Sequence, residues 1–157
     1  MKPLLSLSLF PLPASIAAQS GAFTILSFNI AGIPSSLDPN VPGNKTENIQ
    51  LIGQRLASHD YDVIHVQEDF DYNEALYEAD SHPHRTEPSG RVPFGSGLNT
   101  LSNFPWVGFE RVTWDACASS DGDGGMDCLT PKGFTVMRVR LGEGVYVDFY
   151  NLHADAG

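Results

Sequence analysis

Near the end of the sequence stands the segment Val145-Tyr-Val-Asp-Phe-Tyr-Asn-Leu-His153, whose first six residues alternate between the two sides of a pleated strand. This alternation is typical of a β-strand with one buried face. The segment ends in His153, and Asp155 follows two positions later. The predicted strand therefore delivers two titratable groups to a sheet edge, where catalytic groups are often placed.

Two earlier segments also predict strands. Ala22-Phe-Thr-Ile-Leu-Ser-Phe-Asn29 is rich in β-branched and aromatic residues. Tyr61-Asp-Val-Ile-His-Val-Gln-Glu68 is mostly apolar in its middle, as expected for a strand that is covered on both faces. Each segment ends in a polar residue, so we expect polar groups at the ends of both strands.

A helix is predicted between these strands, from about residues 44–46 to about Ser58. Ile49, Ile52 and Leu56 share one face at helical spacing, and Asn44 with Glu47 could form a capping arrangement.

The remaining segments favour strands over helices. We predict a short helix at 72–78, loops at 82–86 and 89–97, strands at 98–102 and 106–113, and a hairpin of strands 133–141 and 145–152 around Gly142-Glu-Gly144. Strands outnumber helices and both helices come early, which predicts an α/β or α+β fold.

Composition limits the class of protein. The chain has 157 residues, 41% of them hydrophobic and 18% charged, which fits one globular domain. Nine basic and 19 acidic residues give a net charge of −10, which argues against a broad basic surface for nucleic acid. An enzyme that binds phosphate through a metal ion is not excluded, because a bound divalent cation makes the local electrostatic potential positive even in an acidic protein.

The N-terminus has the features of a secretory signal peptide. Lys2 is followed by an apolar run at residues 4–12 that is too short to span a bilayer, and small residues precede position 19. The alternative is a buried N-terminal segment, but Pro11 and Pro13 would interrupt a helix or strand there. We therefore expect a signal peptide at residues 1–18, secretion of the protein, and no transmembrane segment elsewhere.

Two further features agree with export. Asn44-Lys-Thr46 is a glycosylation sequon in a polar stretch, with a chance match as the alternative. Cys117 and Cys128 are the only cysteines, and an even pair in an exported chain predicts one disulfide, with two free thiols as the alternative.

Three polar residues at predicted strand ends form the candidate site. Asn29 ends the first strand, Glu68 ends the second, and His153 ends the last. Carboxylate and amide oxygens are the ligands that Mg²⁺ prefers, and a nearby histidine can donate to an oxygen on phosphorus. The alternative is a strand-capping asparagine, a surface glutamate and a histidine with ordinary structural partners.

Two other clusters suggest metals more weakly. The stretch Asp121-Gly-Asp-Gly-Gly-Met-Asp127 has the spacing of a Ca²⁺ loop but lacks the later bidentate glutamate, so a disulfide-tied surface loop is the alternative. His82 and His84 could bind zinc, but no further Cys/His set accompanies them, and a solvated loop is the default interpretation.

Five short strings occur in one order along the chain: Leu26-Ser-Phe-Asn-Ile-Ala-Gly32, Val66-Gln-Glu-Asp69, Gly97-Leu-Asn-Thr-Leu-Ser102, Lys132-Gly-Phe134 and Asn151-Leu-His153. Their order resembles the endonuclease/exonuclease/phosphatase (DNase I-like) superfamily. Leu129-Thr-Pro-Lys-Gly-Phe134 is most similar to the sphingomyelinase-like branch, and the whole resembles secreted fungal proteins of this type. The resemblance covers about residues 23–157 and implies part of a four-layer α-β-β-α sandwich.

The resemblance also implies roles for the three strand-end residues. Glu68 matches the metal-binding glutamate, Asn29 matches the asparagine that orients metal and phosphate, and His153 matches the histidine at the scissile phosphate. The implied reaction is hydrolysis of a phosphoester by in-line attack of water, with Mg²⁺ or alternatively Mn²⁺. The implied substrate carries a lipid headgroup, a nucleic acid or a sugar phosphate.

One departure from the superfamily pattern is large. The family's later Asp-x-Asn motif and final Asp-His pair have no match in this sequence. We therefore expect residues 19–157 to be the N-terminal half of the domain, with an apolar sheet face uncovered. A catalytically inactive, truncated and secreted acidic binding protein is the alternative to a phosphoesterase.

Overall fold

The computed structural model describes residues 20–39, 42–115, 117, 128 and 130–154. They form two sheets with strand orders β1-β2-β4-β3 and β5-β6-β7, together with two helices. The elements are β1 Ile25–Asn29, α1 Lys45–His59, β2 Val63–Gln67, α2 Asn73–Ala79, β3 His84–Arg85, β4 Asn99–Ser102, β5 Trp106–Thr113, β6 Gly133–Gly142 and β7 Val145–His153.

The first sheet is mixed and carries both helices on one face. β1 pairs with β2 in parallel, α1 connects the two, and β4 pairs with the other side of β2 in the antiparallel direction. Asn44 caps α1, since its side chain accepts from the backbone amides of Thr46 and Glu47. Apolar residues of both helices pack with those of the strands in one cluster that comprises Ile30, Ile49, Leu56, Ile64, Val66, Ala75, Leu76 and Leu101.

The second sheet packs on the opposite face of the first. β6 and β7 form the predicted hairpin, and β5 pairs with β6. Val63 of β2 joins Met137, Val139 and Phe149 in a cluster between the sheets. All five residues of β2 are buried, because its two faces contact the helices on one side and the second sheet on the other.

The outer face of the second sheet is exposed to solvent. Tyr146, Tyr150 and Leu152 of β7 alternate with buried Phe149 and Asn151, and they are about half exposed. Both helices of the described residues pack with the first sheet, so neither covers this face. In the described part of the chain this face is therefore uncovered, and it combines apolar side chains with the exposed Arg138–Asp148 ion pair.

The predicted mixed fold class is confirmed, and the two helices and the longer strands lie where the sequence places them. One loop prediction is wrong, because residues 82–86 include β3, whose two residues pair with Ser102 and Leu101 at the sheet edge. The Cys117–Cys128 disulfide is present.

The predicted signal peptide at 1–18 and the predicted Ca²⁺ loop at 121–127 lie outside the described residues. Within them, no helix is long and apolar enough to cross a membrane.

A buried histidine makes the stability of this fold depend on pH. His65 lies between the sheets, where its Nδ1 is 2.9 Å from the Thr100 hydroxyl and its ring contacts Phe149. Burial lowers the pKa of His65 from 6.5 to about 4, so folding favours the neutral ring. Stabilisation that is complete above pH 6.5 is therefore lost as the pH falls from 6.5 towards 4.

We predict that His65→Gln reduces the loss of unfolding free energy between pH 7.5 and pH 4.5 by about 2–3 kcal/mol relative to the unchanged protein. The measurement is urea unfolding at both pH values, with the exposed His59→Gln as the control. Burial raises the pKa of Asp69 to about 6, which acts in the opposite direction, but this contribution cancels in the comparison. An identical pH dependence in His65→Gln and the unchanged protein would contradict the assignment.

Candidate active site

Asn29 and Glu68 lie side by side because β1 and β2 are parallel. The strand register pairs Asn29 with Gln67, so Glu68 follows directly at the same sheet edge. The Asn29 side-chain oxygen accepts a hydrogen bond from the Ala31 amide at 2.9 Å, which fixes the amide group in a tight turn. A carbonyl oxygen has two lone pairs, so this oxygen can accept a second partner.

The backbone of Glu68 is held in an uncommon conformation by two glycines. Its φ is 57°, in the left-handed region that non-glycine residues seldom adopt. The Gly32 amide donates to the Glu68 carbonyl at 2.9 Å, and a Cβ at Gly32 would clash with that oxygen. A Cβ at Gly97 would lie 3.0 Å from the Glu68 Cα. Such strain is found where the surrounding structure fixes a residue for function.

His153 reaches the same edge from the second sheet. Its Nε2 lies 3.8 Å from the Glu68 Oε1, and the side chains are 13% and 22% exposed. The Trp114 indole donates to the His153 carbonyl at 3.2 Å, which ties the end of β7 to the segment after β5. A carboxylate and an imidazole at this separation, both partly accessible, can serve one substrate, the carboxylate as a ligand of a cation and the imidazole as a donor to an oxygen.

Two buried amide side chains join the strands that carry these residues. The Gln67 Nε2 donates to the Asn151 Oδ1 at 2.7 Å and to the Ser27 hydroxyl at 3.1 Å. The Asn151 Nδ2 donates to the main-chain carbonyls of Val66 at 3.0 Å and Asn99 at 3.1 Å. We call the Gln67–Asn151 pair the amide clamp. Its members precede Glu68 by one residue and His153 by two.

A further buried polar residue, Asp69, directly follows Glu68 in the sequence. Asp69 is fully buried, and burial raises its pKa to about 6 although a hydrogen bond from Asn99 partly offsets this effect. The Asn99 Nδ2 donates to the Asp69 Oδ2 at 2.7 Å, and Arg111 donates to the Asn99 Oδ1 at 2.7 Å. This chain of contacts links β4 and β5 to the backbone beside Glu68.

The three residues predicted from the sequence are thus brought to one edge of the sandwich. Their catalytic and metal-binding roles remain predictions. Sequence reasoning missed the amide clamp and Asp69 as parts of the site. Signals were present, since Gln67 and Asp69 flank Glu68 within one conspicuous string and Asn151 opens another.

The candidate zinc pair does not form. Both ring nitrogens of buried His82 are engaged, at 2.7 Å from the Asp80 Oδ1 and 2.7 Å from the Tyr61 carbonyl. Burial alone would lower the pKa of His82, but the hydrogen bonds to Asp80 and Tyr61 outweigh it and raise the pKa. His84 instead contacts the ring of Trp106. The expectation of a solvated loop is wrong for His82, because this histidine is buried and both of its ring nitrogens have protein partners.

The donor set at the edge fits part of a Mg²⁺ site. Glu68 offers a carboxylate and Asn29 an amide oxygen, and both are hard ligands. Among the described residues, no group of three or more His, Cys, Asp or Glu could hold a metal ion. Mg²⁺ commonly keeps several waters and takes only one or two protein carboxylates, so a small protein donor set is compatible with this ion.

Comparison with known proteins reveals similarity to sphingomyelinases. The chain is 40% identical over 145 residues to a sphingomyelinase of Mycobacterium tuberculosis, covering 88% of this chain and 28% of that protein. The figures for a sphingomyelinase of Mycobacterium bovis are the same. The chain therefore spans less than a third of the length of these relatives. No protein-family model matches the chain.

Solved structures share the fold. A β-hairpin deletion mutant of beta toxin from Staphylococcus aureus has a TM-score of 0.66 at 20% identity, over 84% of this chain and 51% of that one. Sphingomyelinase C from Streptomyces griseocarneus has a TM-score of 0.64 at 25% identity, over 87% and 50%. An endonuclease/exonuclease/phosphatase family protein from Leptotrichia buccalis has a TM-score of 0.54 at 17% identity, over 85% and 54%. These similarities show that the described residues share the DNase I-like fold.

We predict that Asn151→Ala lowers the free energy of unfolding by about 3 kcal/mol, because it leaves two buried carbonyls and the Gln67 amide without their partner. Urea unfolding measures this change. The matched control is Tyr150→Ala at the next residue, whose side chain is 56% exposed and points away from the first sheet. If the two variants are equally stable, the amide clamp does not hold the sheets together.

Proposed function

We propose that the chain contributes Asn29, Glu68 and His153 to the active site of a metal-dependent phosphodiesterase. The observation that carries the proposal is the 3.8 Å approach of the Glu68 carboxylate and the His153 imidazole from two different sheets. Similarity to sphingomyelinases over 88% of the chain supports a hydrolase of the phosphodiesterase type. Glu68 lies in a strained turn, as is common for residues that are fixed for function.

The Glu68 carboxylate and the Asn29 amide oxygen are the groups that would hold Mg²⁺, or Mn²⁺ in its place. When bound, such an ion supplies positive charge that neutralises phosphoryl oxygens. Asn29 is oriented for this task by the hydrogen bond from the Ala31 amide. The hydrogen bond from the Gly32 amide to the Glu68 main-chain carbonyl fixes the backbone from which the carboxylate extends.

His153 would donate a hydrogen bond to an oxygen of the scissile phosphate. Charge grows on that oxygen as water attacks phosphorus in line with the leaving group, so a fixed donor stabilises the transition state more than the bound substrate. The amide clamp keeps the His153 and Glu68 side chains at the required separation.

The described residues provide no clear second group to activate the attacking water. We propose that residues 19–157 are the N-terminal half of a larger catalytic domain, which would supply that group. Two observations support this proposal: the chain covers 51% of the beta toxin chain, and the outer face of its second sheet is exposed. We also propose that residues 1–18 direct secretion, which the apolar run at 4–12 supports.

A lipid headgroup is the favoured source of the phosphodiester, ahead of nucleic acid and sugar phosphates. The curated relatives are named sphingomyelinases. The net charge of −10 disfavours close approach of a polyanion such as DNA. An inactive acidic binding protein remains the alternative function, and it predicts no metal-dependent turnover.

We predict that Glu68→Gln abolishes Mg²⁺-dependent hydrolysis of bis-p-nitrophenyl phosphate by the complete catalytic domain, and that in the 157-residue chain it abolishes the rise in melting temperature that Mg²⁺ produces. Loss of the carboxylate removes a charged ligand, and a ligand that binds only the folded state stabilises it. The thermal measurement does not require turnover. The control is Glu143→Gln in the exposed β6–β7 turn. A variant that keeps its response to Mg²⁺ would remove Glu68 from the site.

For the complete catalytic domain, we predict that His153→Ala lowers kcat by a factor of about 10²–10⁴ and changes KM far less. The reason is that its hydrogen bond strengthens only as charge develops on the phosphate. Steady-state kinetics on the same substrate measure both parameters, with His59→Ala on the exposed end of α1 as the control. An effect confined to KM would mean that His153 only binds substrate.

A further inference from the structure

Lys45 is buried at a position that suits a lysine poorly. It is the first residue of α1, yet its side chain is only 4% exposed. Lysine is seldom buried unless its charge is paired, and a cation in the first turn of a helix faces the positive end of the helix dipole. Neither feature favours α1, so the position of Lys45 has a reason outside the helix. Residues that break a local preference are expected at functional or strained sites.

The partners of Lys45 lie in the segment that follows β1. Its Nζ donates to the Ile33 carbonyl at 2.5 Å, to the Ala31 carbonyl at 3.4 Å and to the Asp38 carboxylate at 3.3 Å. An ammonium group has three N–H donors, which these three acceptors match. Both carbonyls belong to residues 29–33, which we call the β1 turn. Lys45 therefore joins the start of α1 to the β1 turn.

The β1 turn contacts both candidate metal ligands. The Ala31 amide donates to the Asn29 side-chain oxygen at 2.9 Å. The next amide along the chain, that of Gly32, donates to the Glu68 main-chain carbonyl at 2.9 Å. A change in the conformation of the β1 turn would therefore move the Asn29 amide group and release the backbone of Glu68 together.

The β1 turn also contains backbone strain. The φ of Ala31 is 52°, in the left-handed region that residues with a Cβ seldom adopt. Such a conformation persists only where the surrounding contacts enforce it. The Lys45 ammonium group supplies these contacts on both sides of Gly32, at the Ala31 and Ile33 carbonyls. Without it, the two carbonyls lose a charged partner and the β1 turn is free to relax.

We propose that Lys45 is a positioning residue of the candidate active site. Its ammonium group holds the β1 turn so that the Asn29 amide oxygen and the Glu68 carboxylate are preformed as ligands of a divalent cation. Lys45 itself touches neither the cation nor the phosphate. This inference rests on the proposed function for the bound ion. The restraint of the β1 turn does not, because it is a property of the chain without metal.

Lys45→Met distinguishes positioning from simple electrostatics by the sign of its effect. The variant keeps the apolar stem and removes the ammonium group. Loss of a nearby positive charge strengthens the binding of a cation, whereas loss of preformed ligands weakens it. We expect Mg²⁺ to bind about tenfold more weakly to the 157-residue chain in Lys45→Met, as measured by isothermal titration calorimetry. Unchanged or tighter binding in the folded variant would overturn the proposal.

Leu56→Ala is the control for a general loss of stability. Leu56 is buried towards the other end of α1, and truncation of a buried leucine destabilises a fold without removing any contact of the β1 turn. At a temperature where both variants are folded, we expect Leu56→Ala to bind Mg²⁺ like the unchanged chain. Equal weakening in Leu56→Ala and Lys45→Met would mean that Lys45 acts only through overall stability.

Hydrogen exchange tests the restraint of the β1 turn without metal. Gly32 is buried and its amide contacts the Glu68 carbonyl, so its exchange reports the opening of the β1 turn. Ile64, in the middle of buried β2, reports global unfolding. We expect the ratio of the Gly32 rate to the Ile64 rate to rise about tenfold in Lys45→Met and not to rise in Leu56→Ala. An unchanged ratio in Lys45→Met would contradict the proposed role.

Asp38→Asn provides the test if Lys45→Met does not fold. It removes the counter-charge of the ammonium group at a side chain that is 33% exposed, where folding tolerates substitution. We expect the Gly32 amide to exchange several-fold faster in Asp38→Asn than in the unchanged chain. Glu78→Gln, at an exposed position of α2, is the matched control and should leave this rate unchanged. Equal Gly32 rates in Asp38→Asn and Glu78→Gln would overturn the proposal.

The two measurements fail separately from the proposed function. If the unchanged chain does not bind Mg²⁺, the metal site is refuted, and the exchange of Gly32 alone decides whether Lys45 holds the β1 turn. If Mg²⁺ binds equally to the unchanged chain and to Lys45→Met, the metal site stands and Lys45 is not its positioning residue.

Discussion

The hydrogen bond between the Gln67 and Asn151 side chains is the contact on which the arrangement of this molecule depends. It joins the two sheets at 2.7 Å, and the second amide of the pair satisfies two main-chain carbonyls of the first sheet. A buried amide without partners would destabilise the fold, so the sheets are restricted to the register in which all these groups are paired. That register also places Glu68 and His153 next to each other.

The strained backbone of Glu68 and the long-range hydrogen bond between Gln67 and Asn151 thus lie at the same sheet edge. Gly32 and Gly97 leave room for Glu68 in its left-handed conformation, while Trp114 fixes the end of β7. The favourable packing around β2, which is buried on both faces, offsets this strain. The positions of the candidate site residues are therefore determined by one connected set of contacts.

The sequence predicts the strands and helices well because their signals are local. Alternation in 145–150, helical spacing in α1 and the capping residue Asn44 depend on near neighbours. Contacts between residues that are distant in sequence are harder to predict. Gln67 and Asn151, for example, are separated by 84 positions. The same reason hides the buried environment of His82, whose partners include the distant Tyr61 carbonyl, and the two-residue strand β3, which exists only because β4 lies beside it.

The central claim is that Glu68 and His153 form one metal-binding, phosphate-binding site. NMR of the histidine ring protons during titration with Mg²⁺ tests it most directly, in the unchanged chain and in Glu68→Gln. The account predicts that Mg²⁺ shifts the His153 signal, leaves that of the distant, exposed His59 in place, and has no effect on His153 in Glu68→Gln. A His153 signal that ignores Mg²⁺, or responds equally in Glu68→Gln, would contradict the account.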